Sequence, residues 1–355
     1  MKQLLAILEA HAKQHPQRIV YPESTEPRIL KAVYQVAKQG LAHPLLLGKK
    51  ENILAVARNL GLSDLFLESH VKIINPAEEP ALQEVFAEKL FALRKKKGMT
   101  PQLARKLMQD PMYFATMLVY AGEADGVISG AIHPTAHTFR PALQILKTNK
   151  KHRMSAFFLM KHGQEFYLFA DCSVNITPSE QELAEIAVLT AQSAQTLFGL
   201  RATIAMLSFS THGSTDHPLA EKMRKATAIA RKLLKKYKMH DVKIDGELQA
   251  DAALIPEIHA IKAKGAAGNH TRGQANILIF PNLESANIAY KLVEWLGHYE
   301  AIGPITQGLG AAVNDLSRGC TVSDIVEVTA IAGVQAQLYK QQKQHKDERY
   351  GNWHV

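Results

Sequence analysis

The first half of the chain alternates short apolar segments with longer amphipathic ones. The apolar segments predict four strands: Arg18–Tyr21, His43–Leu47, Val71–Ile74 and Gly126–Ser129. The amphipathic segments predict helices over residues 26–39, 52–60, 81–97, 100–108 and 111–121. Since two parallel strands need a long crossover connection, usually a helix, this alternation predicts βαβ units and a mostly parallel sheet.

The pattern changes at Met154. MSAFFLMK and EFYLFAD are two apolar segments joined at His162 and Gly163, which predicts a hairpin and therefore an antiparallel edge. Strands then alternate with helices again, including one over residues 252–263, until the segment Ala301–Gln337 is predicted to return to the first domain. We therefore predict two α/β domains, residues 1–150 together with 309–355, and residues 151–308.

Length and composition agree with a two-domain globular protein. A chain of 355 residues is too long for one hydrophobic core, and its 46% hydrophobic and 21% charged residues are ordinary for a globular fold. No apolar run approaches the ~20 residues that a membrane-spanning helix needs. In the first 16 residues Glu9 interrupts a short apolar patch, so we predict an amphipathic helix, no signal peptide and a cytoplasmic location.

Cysteine usage and charge narrow the chemistry. Cys172 and Cys320 provide neither a disulfide framework nor the ligand spacing of a zinc site, and His212 and His217 lack the partners of a metal site, so we predict no metal. The net charge of +9 favours anionic partners. Because no nucleic-acid-binding motif accompanies the basic residues, we expect small phosphorylated ligands, and neither nucleic acid nor a membrane.

The segment Ala301–Gln337 carries the densest set of candidate functional residues. A loop rich in glycine leads into a helix for which Thr321 is a suitable N-cap, and Asp324 falls in its first turn. Ser317 and Arg318 lie just ahead of the helix, where free N–H groups and the macrodipole favour an anion. A capped helix after a surface loop gives the same pattern, so these residues alone leave both interpretations open.

The same segment and four others resemble one known family. They are ADGVISGAIHPTAHTFRPALQILKT (Ala124–Thr148), MLSFSTHGSTDHP (Met206–Pro218), IDGELQADAAL (Ile244–Leu254), ANILIFPNLESANIAYKL (Ala275–Leu292) and PITQGLGAAVNDLSRGCTVSDIV (Pro304–Val326). In this order they are similar to segments of the phosphate acetyltransferases, or phosphotransacetylases. The resemblance covers nearly the whole chain, and five blocks in the right order are a specific signal.

The resemblance implies a reaction, a fold and a set of partners. The family transfers an acetyl group reversibly between phosphate and the thiol of coenzyme A, directly in a ternary complex, as part of acetate metabolism. Coenzyme A, acetyl phosphate and phosphate are then substrates, with no tightly bound cofactor. The implied fold has two three-layer α/β/α domains like those of isocitrate and isopropylmalate dehydrogenases, with the active site in the cleft between them, and the implied assembly is a homodimer.

Catalytic roles carry over onto the C-terminal segment. Asp324 matches the family's general base, and such a carboxylate can help to remove the proton of a thiol whose pKa is near ~8.5. Ser317 matches a serine that donates a hydrogen bond to the developing charge, and no Ser-His-Asp arrangement suggests a nucleophile. Arg318 matches an arginine whose forked guanidinium suits a phosphate or acyl-phosphate oxygen. Cys320 is expected to be a neighbour of the substrate without a covalent role.

Binding roles carry over onto the first domain. Arg94 and Arg140 match family arginines implied in binding the phosphates of the substrate or of coenzyme A. Thr135 and Thr138 are candidate phosphate ligands, and Asn314 is a candidate for ordering the loop beside the substrate. Without the resemblance, each arginine would be interpreted as an ordinary surface residue. Arg94 is the weaker candidate, because it lies in a basic run.

Three other functions stay open at this stage. A phosphate butyryltransferase would do the same chemistry on a longer acyl group. Pro134, His137 and Phe139 differ from the residues of many family members at these positions, so the acyl preference is undetermined. An oxidoreductase is disfavoured because no convincing G-x-G-x-x-G follows a strand. A non-catalytic regulatory or oligomerisation module is disfavoured because Ser317 and Asp324 match the catalytic residues of the family.

Overall fold

Two sheets with their helices make up the computed structural model, which describes residues 2–62, 70–146, 153–263 and 270–351. The strands are β1 (Gln17–Tyr21), β2 (Ala42–Leu47), β3 (Lys72–Ile74), β4 (Gly126–Ser129), β5 (Ser155–His162), β6 (Glu165–Ala170), β7 (Thr203–Leu207), β8 (Lys243–Leu248), β9 (Ile277–Ile279), β10 (Glu300–Gln307) and β11 (Ala312–Asp315). The helices are α1 (Lys2–Gln14), α2 (Pro27–Gln39), α3 (Lys50–Asn59), α4 (Pro80–Arg94), α5 (Pro101–Leu107), α6 (Pro111–Ala121), α7 (Thr135–Ile145), α8 (Glu180–Phe198), α9 (Pro218–Lys236), α10 (Ala250–Leu254), α11 (Pro256–Lys262), α12 (Leu283–Gly297) and α13 (Val322–Gly351).

The chain divides into two compact units, one spanning Asn149–Gly308 and the other combining Lys2–Thr148 with Leu309–Val355. The second of these, which we call the composite unit, contains a parallel sheet in the order β11-β4-β1-β2-β3. Helix α13 contacts both α1 and α2, and α2 and α13 pack on this sheet, whereas α6 and α7 form another helix pair in contact with it. Strand β11, which follows the chain's return from the other unit, is an edge of this sheet.

The continuous unit contains a mixed sheet in the order β10-β5-β6-β9-β7-β8. Strands β5 and β6 form the predicted antiparallel hairpin, and β6, β9, β7 and β8 pair in parallel. Phe158 of β5 stacks on Tyr290 of α12 with ring centroids 4.2 Å apart, so that helix is fixed to the sheet by an aromatic pair. The predicted α/β class with mostly parallel sheets is confirmed.

Strand β10 was not predicted from the sequence, although the predicted bounds place its residues, up to 308, in the second domain. In the structure Glu300–Gln307 pairs antiparallel with β5 in the continuous unit. Gly303 and Pro304 explain why the sequence pattern does not indicate this strand, because proline is rarely found in a central strand. Pro304 is tolerated here because β10 is an edge strand and the pairing register shifts between Ile302 and Ile305.

The helix predicted over residues 252–263 is also different, because it is broken into α10 and α11. Ile255 between them is extended, with φ −118° and ψ 113°. A residue before proline is pushed out of the helical region, and Pro256 then starts α11 at its favoured first position. Similarly, α4 ends at Arg94 rather than at Lys97, where a short 3-10 turn closes on Gly98.

Helix α13 ties the C-terminal segment into the composite unit. It packs against β1, β4 and β11 and against α1 and α2. The buried Tyr21 hydroxyl in β1 bonds to the Thr329 hydroxyl in α13 at 2.8 Å, and Asn314 in β11 donates to Gln335 at 2.8 Å. None of the helices in the described parts of the chain combines the length and hydrophobicity that a membrane-crossing segment needs.

Candidate active site

The carboxyl ends of β1, β4 and β11 meet at one edge of the composite unit's sheet, because the three strands are neighbours and parallel. This edge is where open parallel sheets usually bind ligands. Three connections leave the strands there: Pro22–Glu26 before α2, Gly130–Pro134 before α7, and Leu316–Thr321 before α13. The predicted residues Thr135, Ser317 and Asp324 lie in or directly after these connections.

Glu23 fixes the connection after β4. Its carboxylate, 4% exposed, accepts the backbone N–H groups of Gly130 and Ala131 at 3.0 and 2.8 Å and those of Ile132 and His133 at 3.1 and 2.9 Å. The ring Nδ1 of His133 lies 2.7 Å from the same carboxylate. Four consecutive N–H groups are thus engaged by a protein side chain, so these groups are not left to hold a substrate phosphate.

Asp315 ends β11 as a second buried carboxyl group, 1% exposed. It accepts a hydrogen bond from the Thr135 hydroxyl, the first residue of α7, at 2.7 Å. Burial raises the pKa of Asp315 to about 6, although hydrogen bonds from Thr135 and Thr138 lower it. Gly130, with φ +112°, packs directly against this carboxylate, and a Cβ there would overlap it.

Arg28, in the first turn of α2, links two of the three connections. Its Nη1 donates to the carbonyl oxygens of Arg318 and Cys320 at 2.8 and 3.1 Å, and its Nη2 donates to that of Ala131 at 2.9 Å. Its Nε bonds to Glu26 at 2.7 Å. The rigid guanidinium fork therefore holds the connection before α13 against the connection before α7.

Asp324 takes part in the cap of α13. Its Oδ2 accepts the Thr321 N–H at 2.7 Å, while the Thr321 hydroxyl accepts the Asp324 N–H at 3.2 Å. This reciprocal pair is a capping box with aspartate in the third helical position, and it fixes the carboxylate at the helix N-terminus. The second oxygen of Asp324 has no hydrogen-bond partner among the described residues, so it is available to a bound molecule.

Ser317 and Arg318 are exposed on the connection before α13. The Ser317 hydroxyl accepts the Gly319 N–H at 3.3 Å, which leaves its own proton available for donation. The Arg318 backbone is held by Arg28, whereas its guanidinium forms no ion pair within the parts of the chain that the structure describes. The hydroxyl proton of Ser317 and the guanidinium of Arg318 therefore have no partner among the described residues and are available to a ligand.

Cys320 is 6% exposed between these residues. Burial raises the pKa of its thiol to about 11, and the nearby Asp324 carboxylate acts in the same direction, whereas Arg28 opposes it. The thiol is therefore protonated at neutral pH, and a protonated thiol is a poor nucleophile.

Arg94 and Arg140 lie on α4 and α7, at different places in the sequence. Both act on the same phenol, Tyr113 of α6, and lower its pKa against the larger effect of burial. The Tyr113 hydroxyl donates to Gln144 of α7 at 3.0 Å. Neither guanidinium has an ion-pair partner in the described ranges, so the structure brings together two free cations around this phenol.

Asn314 and Thr138 have buried positions. Asn314 is 0% exposed within β11, and its amide donates to Gln335 of α13, which gives it a structural role in holding that helix. Thr138, also 0% exposed, lies on the buried face of α7 beside Asp315. Neither side chain faces solvent, unlike Ser317 and Arg318.

Comparison with known proteins decides the family. The model of the phosphate acetyl/butaryl transferase family matches residues 3–333. The chain belongs to this family. Among its relatives, the phosphate acetyltransferase of Thermoanaerobacterium thermosaccharolyticum is 47% identical over 333 residues, covering 92% of this chain and 97% of the relative. That of Bacillus subtilis is 42% identical over 320 residues, covering 90% and 94%.

Solved structures agree with this membership of the phosphate acetyl/butaryl transferase family. A phosphotransacetylase from Streptococcus pyogenes has a TM-score of 0.84 and 44% identity, covering 95% of this chain and 99% of that one. The EutD phosphotransacetylase from Staphylococcus aureus has the same TM-score and 40% identity, covering 94% and 98%. A branched-chain phosphotransacylase from Enterococcus faecalis, at 19% identity and a TM-score of 0.62, shares the fold.

Sequence reasoning missed four residues of this candidate site: Glu23, Arg28, His133 and Asp315. A signal was present for three of them, because Glu23 and His133 follow predicted strands and Arg28 begins a predicted helix, whereas no strand was predicted before Asp315. It went unused because the pairing order β11-β4-β1 was unknown, and only that order brings the three connections together.

The acidic motif around Asp245 and Glu247 is engaged by other protein groups. Both carboxylates are 0% exposed; Asp245 pairs with Arg231 at 3.1 Å, and Glu247 accepts the Ser210 hydroxyl at 2.8 Å. Histidine, cysteine and acidic side chains nowhere gather in a group of three suited to a metal ion within the described residues.

Proposed function

We propose that the chain is a phosphate acetyltransferase that moves an acetyl group reversibly between acetyl phosphate and coenzyme A. In the direction of acetyl-coenzyme A, the thiol sulfur bonds to the acetyl carbon, the carbon–oxygen bond to phosphate breaks, and inorganic phosphate leaves. The thiol proton goes to a protein base. The reaction is a direct transfer in a ternary complex and forms no acyl-enzyme, which agrees with the raised pKa of the Cys320 thiol.

Asp324 is proposed as the general base. The capping box fixes one carboxylate oxygen on the Thr321 N–H and leaves the other unengaged in the described structure. A base so held needs no reorganisation to accept a proton, and general-base catalysis of this kind contributes roughly 10²–10⁴-fold. This half-engaged carboxylate on the same short segment as Ser317 and Arg318 is the observation that carries the proposal.

Ser317 and Arg318 are proposed to stabilise the charge that develops on the acyl phosphate. The Ser317 proton is free to be donated because its oxygen accepts from Gly319, and the Arg318 guanidinium is free to form a bidentate pair with phosphate oxygens. Arg28 supports both by holding the segment's carbonyl groups.

Arg94 and Arg140 are proposed to bind the phosphates of coenzyme A or of the acyl phosphate, and Thr135 a phosphoryl oxygen. Their support is the pair of free guanidinium groups around Tyr113 and the position of Thr135 at the first turn of a helix. Cys320 remains a prediction as a neighbour of the substrate. For Asn314 and Thr138 we propose indirect roles, since both are buried.

The remaining parts of the proposal rest on the resemblance. We propose that the two compact units are the two domains, that the enzyme is a cytoplasmic homodimer, and that coenzyme A is a substrate with no further cofactor. Size-exclusion chromatography with light scattering tests the dimer.

The decisive experiment follows thioester formation from acetyl phosphate and coenzyme A by ultraviolet absorbance. Wild type is compared with Asp324→Asn, which keeps an acceptor for the cap, and with the control Ser323→Asn, which places the same amide in the same turn. We expect kcat to fall by ~10² or more in Asp324→Asn alone. Equal rates for the two variants would remove Asp324 as the base, and an inactive wild type would leave a non-catalytic module.

The same assay decides the acyl preference. Replacing acetyl phosphate by butyryl phosphate at equal concentration compares kcat/KM for the two donors. A higher kcat/KM for butyryl phosphate would assign the chain to the butyryl branch of the family.

A further inference from the structure

The bond between Thr135 and Asp315 has a direction that matters for an anionic substrate. Asp315 ends β11 and Thr135 begins α7, and the two oxygens lie 2.7 Å apart in a place where Asp315 is 1% exposed. An ionised carboxylate can only accept hydrogen bonds, and a hydroxyl has one proton to donate. While Asp315 is ionised, Thr135 therefore gives its only proton to the carboxylate.

With the hydrogen bond in that direction, Thr135 cannot donate a hydrogen bond to a phosphoryl group. The oxygens of a phosphate dianion are acceptors, so they need a donor from the protein. If Asp315 takes up a proton, its hydroxyl donates to Thr135, and the Thr135 proton becomes free to point at the anion. Thr135 stands at the helix end where unsatisfied N–H groups and the macrodipole already favour negative charge.

We infer that Asp315 is a positioning residue that sets, through Thr135, whether the first turn of α7 offers a hydroxyl donor to an anionic oxygen. Binding of the anion at this turn then takes up one proton from solvent onto Asp315, and its departure releases that proton. The inference deepens the proposed function and rests on it, since the phosphoryl group in question is that of acetyl phosphate, phosphate or coenzyme A.

The surroundings of Asp315 support a change of protonation near neutral pH. Burial raises its pKa to about 6, the negative charge of Glu23 acts in the same direction, and the hydroxyls of Thr135 and Thr138 oppose both. The ionisable side chains on the elements and connections around it are Glu23, Glu26 and Arg28 beyond β1, His133 before α7, His137 and Arg140 on α7, Arg318 and Cys320 before α13, and Asp324 and Glu327 at the start of α13. Strand β4 itself carries none.

The two histidines need a control, because protonation of either would also strengthen anion binding at acid pH. Their rings stack with centroids 4.6 Å apart, His133 on Glu23 and His137 on Asp110. Their contribution is common to wild type and to every variant of Thr135 or Asp315, so it cancels in the comparison.

The test measures binding of sulfate to the intact protein by titration calorimetry from about pH 5.5 to about pH 8, where sulfate keeps its charge and does not titrate. Wild type is compared with Asp315→Asn, Thr135→Val and Thr135→Ser. We expect wild-type affinity to fall about tenfold more across this range than that of Thr135→Val, the size of one hydrogen bond to a charged group. Thr135→Ser keeps the wild-type profile.

The Asp315→Asn variant distinguishes positioning from a structural role. Its amide donates to Thr135 at every pH, so we expect it to bind sulfate near pH 8 about as tightly as wild type does near pH 5.5, whereas a merely structural role predicts weaker binding. Titration in two buffers of different ionisation enthalpy should show proton uptake in wild type and less in this variant.

Three outcomes would overturn the inference: no sulfate binding to wild type, a full pH dependence in Thr135→Val, or weaker binding by a folded Asp315→Asn at all pH values. Thr135→Val keeps the inference testable if Asp315→Asn fails to fold. Because no turnover is involved, failure of the thioester assay would refute the proposed reaction, while these outcomes would refute only the role of Asp315.

Discussion

Replacing Glu23 by glutamine should destabilise the edge of the composite unit's sheet, although the two side chains have nearly the same shape. One carboxylate oxygen accepts the N–H groups of Gly130 and Ala131, and the other accepts those of Ile132 and His133. A glutamine amide has a single acceptor oxygen. Whichever way it turns, its NH₂ group must face two backbone N–H donors.

The magnitude follows from those two donors. A buried donor left without an acceptor costs about 1–3 kcal/mol, so Glu23→Gln should destabilise the composite unit by about 2–6 kcal/mol. For a unit of this size that lowers the melting temperature by about 5–15 °C. Thioester formation should fall with it, because the displaced connection leads directly into α7 and Thr135.

Differential scanning calorimetry and hydrogen exchange measure the two effects. Exchange should accelerate at Gly130–His133, whose amides lose their acceptor, more than at the helices of the continuous unit. Glu84→Gln is the matched control, because its carboxylate pairs with Arg105 on the surface, where solvent screens an ion pair and leaves it little effect on stability. A Glu23→Gln protein that melts within about 2 °C of wild type, with unchanged exchange, would refute the reasoning.

Three further predictions follow from the same edge. Because burial raises the folded-state pKa of Asp315 to about 6 from its ordinary 3.8, this carboxyl destabilises the fold increasingly as pH rises from about 4 to about 6. The free energy of unfolding of Asp315→Asn, measured with urea, should therefore exceed that of wild type by up to about 3 kcal/mol at pH 8 and by little at pH 4, and an equal gain at both pH values would contradict this. Cys320 should react with iodoacetamide at pH 8 about a hundredfold more slowly than free cysteine, since its pKa is about 11; a rate like that of free cysteine would exclude this burial. Arg28→Lys should lower kcat/KM about tenfold with a smaller effect on melting temperature, because an ammonium cannot bond at once to the carbonyls of Arg318 and Ala131; full activity would show that the bridge is dispensable.

Much of the fold was predictable because its signals are local. The alternation of apolar and amphipathic segments located strands β1 to β6. Where local signals conflicted with tertiary context, the prediction was wrong. In β10, Pro304 argued against a strand, and only the edge position and the shifted register make it acceptable.

The exposed half of the candidate site was easier to predict from the sequence than its buried half. Ser317, Arg318 and Asp324 are close in sequence, so a motif can place them together. The buried half is assembled from β1, β4 and β11, which are far apart in sequence, and no local pattern says that Glu23 will accept four amides from a connection more than a hundred residues away. Buried polar residues at strand ends are nevertheless a usable sign, because a fold rarely tolerates them without a partner.

The two buried carboxyl groups at this edge differ in a way that points to function. Glu23 accepts five hydrogen bonds and so stabilises the connection that it holds. Burial disfavours ionisation of Asp315 and raises its pKa to about 6, whereas a neutral asparagine amide would hydrogen-bond to Thr135 without that penalty. Stability alone therefore favours asparagine at position 315, and a residue that destabilises its own fold at neutral pH is typical of a site selected for activity. The titratable proton, which asparagine lacks, is the property that the role inferred for Asp315 requires.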